Sequence, residues 1–357
     1  MSKVEMRRGK QAPFPDSLSA AFGELARLEH ALERNLLPLG ILAALAFSME
    51  TPGPGVALAR LHPTGWLVAL IFLGEGIKLD VSRLAAPQRY VKPALFALAM
   101  AFVFFPAGAF ILAKVFSLQT DYMVGLVLIS CLPCSIASAM VISTNAGGDR
   151  LTAMCVLLVL NLAGLVAVPE TLRLWLGGAT HVDDVDIMIK LILYLFAPVT
   201  AGQLLKGLAP GFALRIRPAF RYVPALCISV IIYASCSKES RLIASQSVED
   251  IVLVAIPCVL LHVAVLWSAY GIGRRLMGFT PQVNRAVAVV CSEKPLSLAL
   301  ALWSLSFAQS HPLAVLPPVV FSLLQVLLDS VWASHLRAGD LASTAVHTSM
   351  ESRLPHA

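Results

Sequence analysis

Charge is what this sequence has least of. Only 13% of its 357 residues are Asp, Glu, Lys or Arg, where a soluble domain carries about 25%. That shortage excludes an ordinary soluble chain. Two catalytic signatures are also missing. There is no His-Glu-x-x-His zinc motif and no Gly-x-Ser-x-Gly nucleophile elbow, and the eight histidines (30, 62, 181, 262, 311, 335, 347 and 356) are scattered. The reading is therefore not an enzyme, with no cofactor and no metal site expected. The seven cysteines (131, 134, 155, 227, 236, 258 and 291) are odd in number and almost all lie in apolar runs, so they do not read as a disulfide framework. Met1–Arg34 has no apolar core long enough for a cleavable signal. Little chain is left for a soluble signalling domain, which speaks against a receptor.

What is present is long apolar sequence. Hydrophobic residues make up 58% of the chain, and ten segments stand out: 36–49, 65–77, 91–114, 122–145, 150–176, 187–206, 219–236, 249–273, 283–305 and 312–334. A straight helical crossing needs about 20 residues, and the first two segments are short by that measure. The fold class expected is an all-α polytopic membrane protein whose partner is the lipid bilayer. The net charge of +6 could suggest nucleic acid, but its distribution argues against that partner. With the N-terminus inside, 20 of the 27 basic residues fall on cytoplasmic segments and 6 on outer ones, which sets both termini in the cytoplasm by the positive-inside rule. The expected location is a bacterial inner (plasma) membrane.

Ten crossings with both ends inside divide into two sets of five, and five is odd, so the halves run in opposite senses. The organisation expected is a cytoplasmic N-terminal segment over 1–34 with an interfacial helix near Phe22–Leu32, a first five-helix repeat over 35–177, a second, inverted repeat over 186–336, and a short, polar, disordered cytoplasmic tail over 337–357.

Two segments carry an interruption at the same place in each half. Pro133-Cys134-Ser135-Ile136-Ala137 lies in the fourth, and Pro295-Leu296-Ser297-Leu298-Ala299 repeats its Pro-x-Ser-x-Ala spelling in the ninth, 162 positions later. Proline removes a backbone donor and disrupts a helix. Paired interrupted helices in two halves are the sequence sign of a secondary transporter built from inverted repeats. Just before the second break stand Glu293 and Lys294, the only charged residues between Ala286 and Phe307. Lys294 lies roughly 12 Å of helix from the nearer end, a long way to reach the interface. Ionisable groups at that depth cost roughly 2.5–3.5 kcal/mol each on insertion scales and are usually functional.

Crossing the two broken helices brings their loose backbone ends together, with half-helix N-termini near Ser135 and Ser297 favouring an anion. Lys294 adds positive charge, and Glu293 offers a carboxylate for a cation or a proton. Ser135, Ser138, Ser292 and Ser297 line the same point. Glu75, in Gly74-Glu75-Gly76, either faces the cavity or sits at the interface beside Lys78. Asn161 and Gln203 read as helix-packing hydrogen bonders, Gln325 and Asp329 as a structural pair one turn apart, Glu170 and Arg173 as a surface pair, and Cys131 and Cys134 as small residues in a close-packed crossing. The substrate/ion-binding candidates are thus Pro133, Cys134, Ser135, Ser138, Ser292, Glu293, Lys294, Pro295, Ser297 and Glu75.

At these residues the chain resembles the bile acid/sodium symporter superfamily, and within it the SBF-like branch. Three stretches carry the resemblance: Ile71-Phe72-Leu73-Gly74-Glu75-Gly76-Ile77-Lys78-Leu79; Leu132-Pro133-Cys134-Ser135-Ile136-Ala137-Ser138-Ala139-Met140-Val141 followed by Gly147-Gly148-Asp149 and Asn161-Leu162-Ala163-Gly164; and Cys291-Ser292-Glu293-Lys294-Pro295-Leu296-Ser297-Leu298-Ala299. The resemblance implies a panel domain (segments 1, 2, 6 and 7) rocking against a core domain (segments 3–5 and 8–10). It also implies a small organic anion as substrate, often moved with sodium, bound beside the crossing of segments 4 and 9. Against the sodium-coupled pattern, Ser138-Ala139 replaces Ser-Asn, Ala153 and Leu157 stand where hydroxyls are usual, Val289 stands where a glutamate is usual, and Glu293-Lys294 replaces Gln-Asn. One familiar sodium site thus looks dismantled, with the Lys294 ammonium in place of the ion, which leaves proton coupling through Glu293 or no coupling; which coupling ion is used, sodium (Na+), a proton or none, is not fixed by sequence. An arsenite-type exporter of the related fold, suggested by Cys134, and a channel are the alternatives. Substrate identity, direction of transport and oligomeric state are not fixed by sequence.

Overall fold

The computed structural model describes residues 36–79, 88–178, 180 and 183–351, with side chains described as far as Arg337. The interfacial helix expected near Phe22–Leu32 lies outside the described residues. Every one of the ten apolar segments is helical, and the described residues contain no strand. Six helices are long and apolar enough to cross a membrane, or up to eight if each of two bent pairs is one span.

In chain order the first pair is α1 (Leu36–Glu50) and α2 (Pro52–Ala59), bent by 104°. Then come α3 (Thr64–Lys78) and α4 (Gln88–Val115). The second bent pair is α5 (Thr120–Cys131) and α6 (Ile136–Asn145), at 67°. After it follow α7 (Arg150–Leu176), α8 (Asp184–Leu208), α9 (Pro210–Ile216), α10 (Val223–Lys238) and α11 (Ser240–Ala244). The chain closes with α12 (Val248–Arg275), α13 (Pro281–Ser292), α14 (Leu296–Leu302) and α15 (Leu316–Glu351). At 15 and 16 residues, α3 and α10 extend only about 23 and 24 Å at 1.5 Å per residue, short of a hydrocarbon core of about 30 Å.

α4 and α8 each contain a widened turn, at Met100–Phe104 and Ile192–Phe196. Pro106 and Pro198 stand two residues beyond these turns. A proline inside a helix has no N–H to donate and its ring presses on the preceding turn. A π turn just before it spreads the backbone and absorbs that conflict.

The helices pack as two layers. α3 lies against α8 and α10, and α10 also packs on α2. Tyr233 of α10 donates its hydroxyl to the Thr51 carbonyl at 2.8 Å, between α1 and α2. In the second layer α4, α5, α7, α12, α13 and α15 pack on one another and on α6. α14 leans across to touch α3 and α10. At the centre is the ninth segment, Pro281–Phe307, whose most apolar window is 100% buried in protein, while the other five unbent spans range from 28% to 56%. That burial is what allows charged residues and interrupted backbone at this depth, since lipid offers them no partners.

One expectation is corrected. The tail beyond Arg337 is not disordered from its start, because α15 continues as helix to Glu351. Adding residues to an existing helix avoids the nucleation cost that a separate polar segment would meet.

Candidate functional site

Two interruptions build the site. α5 stops at Cys131, Leu132 turns extended at ψ 155°, and the helix resumes at Ile136. Pro133 accounts for this, because it lacks a donor and disfavours helical geometry in the residue before it. Glu293 and Pro295 are likewise extended, at ψ 122° and 107°, between α13 and α14. The two breaks differ in shape: the first bends by 67°, while the second stays within one 27-residue crossing.

The groups freed at each break find partners at the other or on a neighbouring helix. The Ser135 N–H donates to the Glu293 carbonyl at 3.3 Å. The Lys294 ammonium donates to the Leu132 carbonyl at 2.6 Å and reaches Ala101 O at 3.4 Å, with its nitrogen 4.3 Å from the Phe105 ring centre. The Asn161 amide donates to Cys134 O at 3.1 Å. Gln325 closes on the Lys294 main chain from both sides, accepting from its N–H at 3.0 Å and donating to its carbonyl at 2.9 Å. An unpaired backbone group at this depth costs several kcal/mol, which is the physical reason these side chains are here.

The carboxylate end is equally enclosed. Ser138 donates to Glu293 Oε2 at 2.5 Å and lies 2.8 Å from the Ser135 hydroxyl. Asp329 lies within hydrogen-bonding reach of Glu293, and His262 Nε2 is 2.9 Å from Asp329 Oδ1. Glu293, His262 and Asp329 are each 0% exposed.

Of the ten residues singled out from sequence, the structure brings Pro133, Cys134, Ser135, Ser138, Glu293, Lys294 and Pro295 to one crossing. Ser292 and Ser297 are buried in the same segment, and Ser292 turns its hydroxyl to the Val289 carbonyl. Glu75 stands apart: it pairs with Lys78 at 2.6 Å on the wall of a cavity of about 710 Å³ between the layers. Lys78, Arg150, Lys206 and Arg217 contribute cationic side chains to that cavity, while Ala137 and Met140 bring α6 to it. Lys294 is only 1% exposed and does not line it. The positive charge around the hollow therefore comes from basic residues that sequence reasoning counted only as topology markers.

Asn161 and Gln203 act as packing hydrogen bonders; Gln203 donates to Leu79 O at 2.8 Å and also to Gly76 O. Glu170 and Arg173 form the exposed pair expected, at 2.6 Å. All seven cysteines are free and buried. Gln325, Asp329 and His262 were not read as site residues. The signal available for the first two was their one-turn spacing on an otherwise apolar helix.

Among curated proteins the chain is similar to sodium/bile acid cotransporter 7 of Danio rerio, at 24% identity over 306 residues, covering 82% of this chain and 90% of the relative. The Rattus norvegicus protein of the same name is 25% identical over 316 residues, covering 85% and 93%. A probable chloroplastic sodium/metabolite cotransporter, BASS4 of Oryza sativa subsp. japonica, is 26% identical over 345 residues, covering 92% and 81%. The sequence model of the SBF-like CPA transporter family matches residues 35–338. This chain is therefore a member of the SBF-like CPA transporter family, a membrane transporter of the bile acid/sodium symporter superfamily.

Proposed function

We propose that the protein moves a small organic anion by alternating access, through ten crossings arranged as two inverted five-helix repeats, with both termini cytoplasmic. The observation that carries this reading is the cavity of about 710 Å³ between the layers, with Lys78, Arg150, Lys206 and Arg217 on its wall and the turn of α6 that follows the first break at its floor. Cationic side chains in a concave, partly apolar site attract an anion and raise its local concentration. All four basic residues belong to segments assigned to the cytoplasm by charge, so the cavity opens inward. The inverted arrangement is supported by the repeated Pro-x-Ser-x-Ala spelling and by the meeting of the two breaks.

Coupling at this crossing does not follow the sodium pattern. Hard cations are held by several oxygen ligands. Here the Leu132 carbonyl is taken by the Lys294 ammonium, with Ala101 O beside it and Phe105 covering the nitrogen. A fixed cation stands in for a bound ion at this point.

The test begins with a thermal-shift screen of organic anions, bile acids among them, on purified protein. The anion that stabilises most is then followed in proteoliposomes with and without a sodium gradient. Saturable, concentrative uptake without steep sodium dependence is expected. Flux that never exceeds equilibration would make the protein a channel, and uptake that needs sodium would overturn the role given to Lys294.

A further inference from the structure

The buried cluster around Glu293 contains more acid than its neighbours neutralise. Glu293 is on the break between α13 and α14, Asp329 on α15 and His262 on α12, so three separate elements converge. Around the Glu293 carboxylate stand Ser138 and Cys134 from the first break, Asp329, and His262; Cys291 and Lys294 are on its own segment. The one fixed cation of this set, Lys294, sends its ammonium to Leu132 O and Ala101 O instead of to either carboxylate. Each carboxylate keeps one buried oxygen, Oε1 of Glu293 and Oδ2 of Asp329, that receives no donor among the described residues.

Two ionised carboxylates in contact repel, and each lone oxygen buried without a donor is costly. A single proton between the two groups removes both penalties: it cancels one charge and supplies the missing donor. Side-by-side carboxyl groups sharing one proton act as a unit and not as two separate acids. His262 orients the far side of Asp329 through its 2.9 Å contact. Access is also provided for. Ser138 is half-buried, holds Glu293 Oε2, and sits on the same turn as Ala137 and Met140, which line the cavity.

We infer that the Glu293–Asp329 pair, oriented by His262, is a proton-binding site that holds one shared proton and exchanges it with the cavity past the Ser138 hydroxyl. The proton moves as H+ between the carboxyl pair and water in the cavity, so no other reactant is needed. As a coupling site it rests on the transport reading above; as a proton site it does not.

Infrared difference spectroscopy on the purified full-length protein, stepped from alkaline to neutral pH, separates the two. A protonated-carboxyl band is expected in the unmutated protein and is lost at the same pH in both E293Q and D329N, while E170Q, which alters the exposed pair, leaves it unchanged. Should E293Q fail to give a monodisperse protein, D329N decides alone. S138A is expected to keep the band but slow its isotope shift on transfer to heavy water. A band absent from the unmutated protein, or identical in E293Q, D329N and the unmutated protein, overturns the proposal. A band that behaves as expected in a protein that takes up no anion in proteoliposomes leaves the proton site standing and removes the transport reading.

Discussion

The ammonium of Lys294 lies 2.6 Å from the carbonyl oxygen of Leu132, and the two residues are separated by 162 positions. Each immediately precedes the proline of its own broken helix. The cation of the second break therefore satisfies the carbonyl exposed by the first. A charge-assisted hydrogen bond of this kind contributes roughly 1.5–3 kcal/mol. Removing the cation leaves the Leu132 oxygen bare in a small polar pocket with Ala101 O nearby. Lys294→Asn is therefore expected to lower the thermal midpoint in detergent. It is also expected to gain a stabilisation by sodium chloride over choline chloride that the unmutated protein lacks. Equal responses of the two proteins to sodium would show that the ammonium does not stand in for an ion.

Gln325 makes both of its bonds to the Lys294 main chain. Gln325→Leu keeps the volume and strips both partners, so one N–H and one carbonyl become buried without hydrogen bonds. Each such loss costs about 1–3 kcal/mol. The variant should unfold at a clearly lower temperature than the unmutated protein and resist proteolysis less well around the α13–α14 break. Unchanged protease sensitivity there would mean that the break holds its shape without Gln325.

The two breaks were legible because proline and charge are conspicuous in apolar sequence. Pro133, Pro295, Glu293 and Lys294 announce themselves by violating the composition around them. Their partners do not. Phe105 and Ala101 are ordinary members of an apolar helix, and the Ala101 carbonyl meets Lys294 across 193 positions, a pairing that no local spacing encodes. His262 reads as one of the scattered histidines and Asp329 as a partner of Gln325, because the contact that joins His262 to Asp329 spans 67 positions. The resemblance to the symporter superfamily pointed to this crossing but not to these residues. The cavity rim was hidden for another reason: Lys78, Arg150, Lys206 and Arg217 were already accounted for as topology markers under the positive-inside rule, and one signal masked the other. The different bends of α5–α6 and α13–α14 arise from packing and leave no mark on the near-identical Pro-x-Ser-x-Ala spelling.

The contact between α3 and α8 depends on two glycines. A Cβ added at Gly202 would meet the Leu73 carbonyl oxygen, lie 2.9 Å from the Ile77 nitrogen and 3.0 Å from Gly76 Cα. These are backbone atoms and cannot rotate away. Small residues that let two backbones approach are a common device for pairing helices in membranes. Gly202→Val is expected to force α3 and α8 apart at a cost of about 1–3 kcal/mol or more, seen as aggregation on size-exclusion chromatography. Gly271, also inside a helix, has nothing within 4 Å of an added Cβ. Gly271→Ala should therefore be neutral or raise the thermal midpoint, since Ala is favoured over Gly in a helix interior by roughly 0.5–1 kcal/mol. Equal behaviour of the two variants would contradict the packing described.

A tie between the two layers lies at the end opposite the basic cavity. Lys190 of α8 donates to the Leu305 carbonyl at 2.9 Å and to the Ser306 hydroxyl at 2.8 Å, both in the π turn that follows α14, and it pairs with Asp186 on its own helix. Lys190 is half-buried, so its ammonium has given up part of its hydration and depends on these oxygens. If the layers rock as proposed, opening this end breaks the two bonds to the π turn, so these bonds bias the protein toward keeping this end closed. Lys190→Met removes the bias while keeping most of the side-chain volume. Spin labels on cysteines placed at Val185 and Gln309, both exposed, report the separation of the two layers there, because the seven native cysteines are buried. Lys190→Met should shift population toward longer distances. The same distance distribution with and without Lys190 would show that the tie contributes nothing to which side is open, and that the closure of this end rests on apolar packing between α14, α3 and α10.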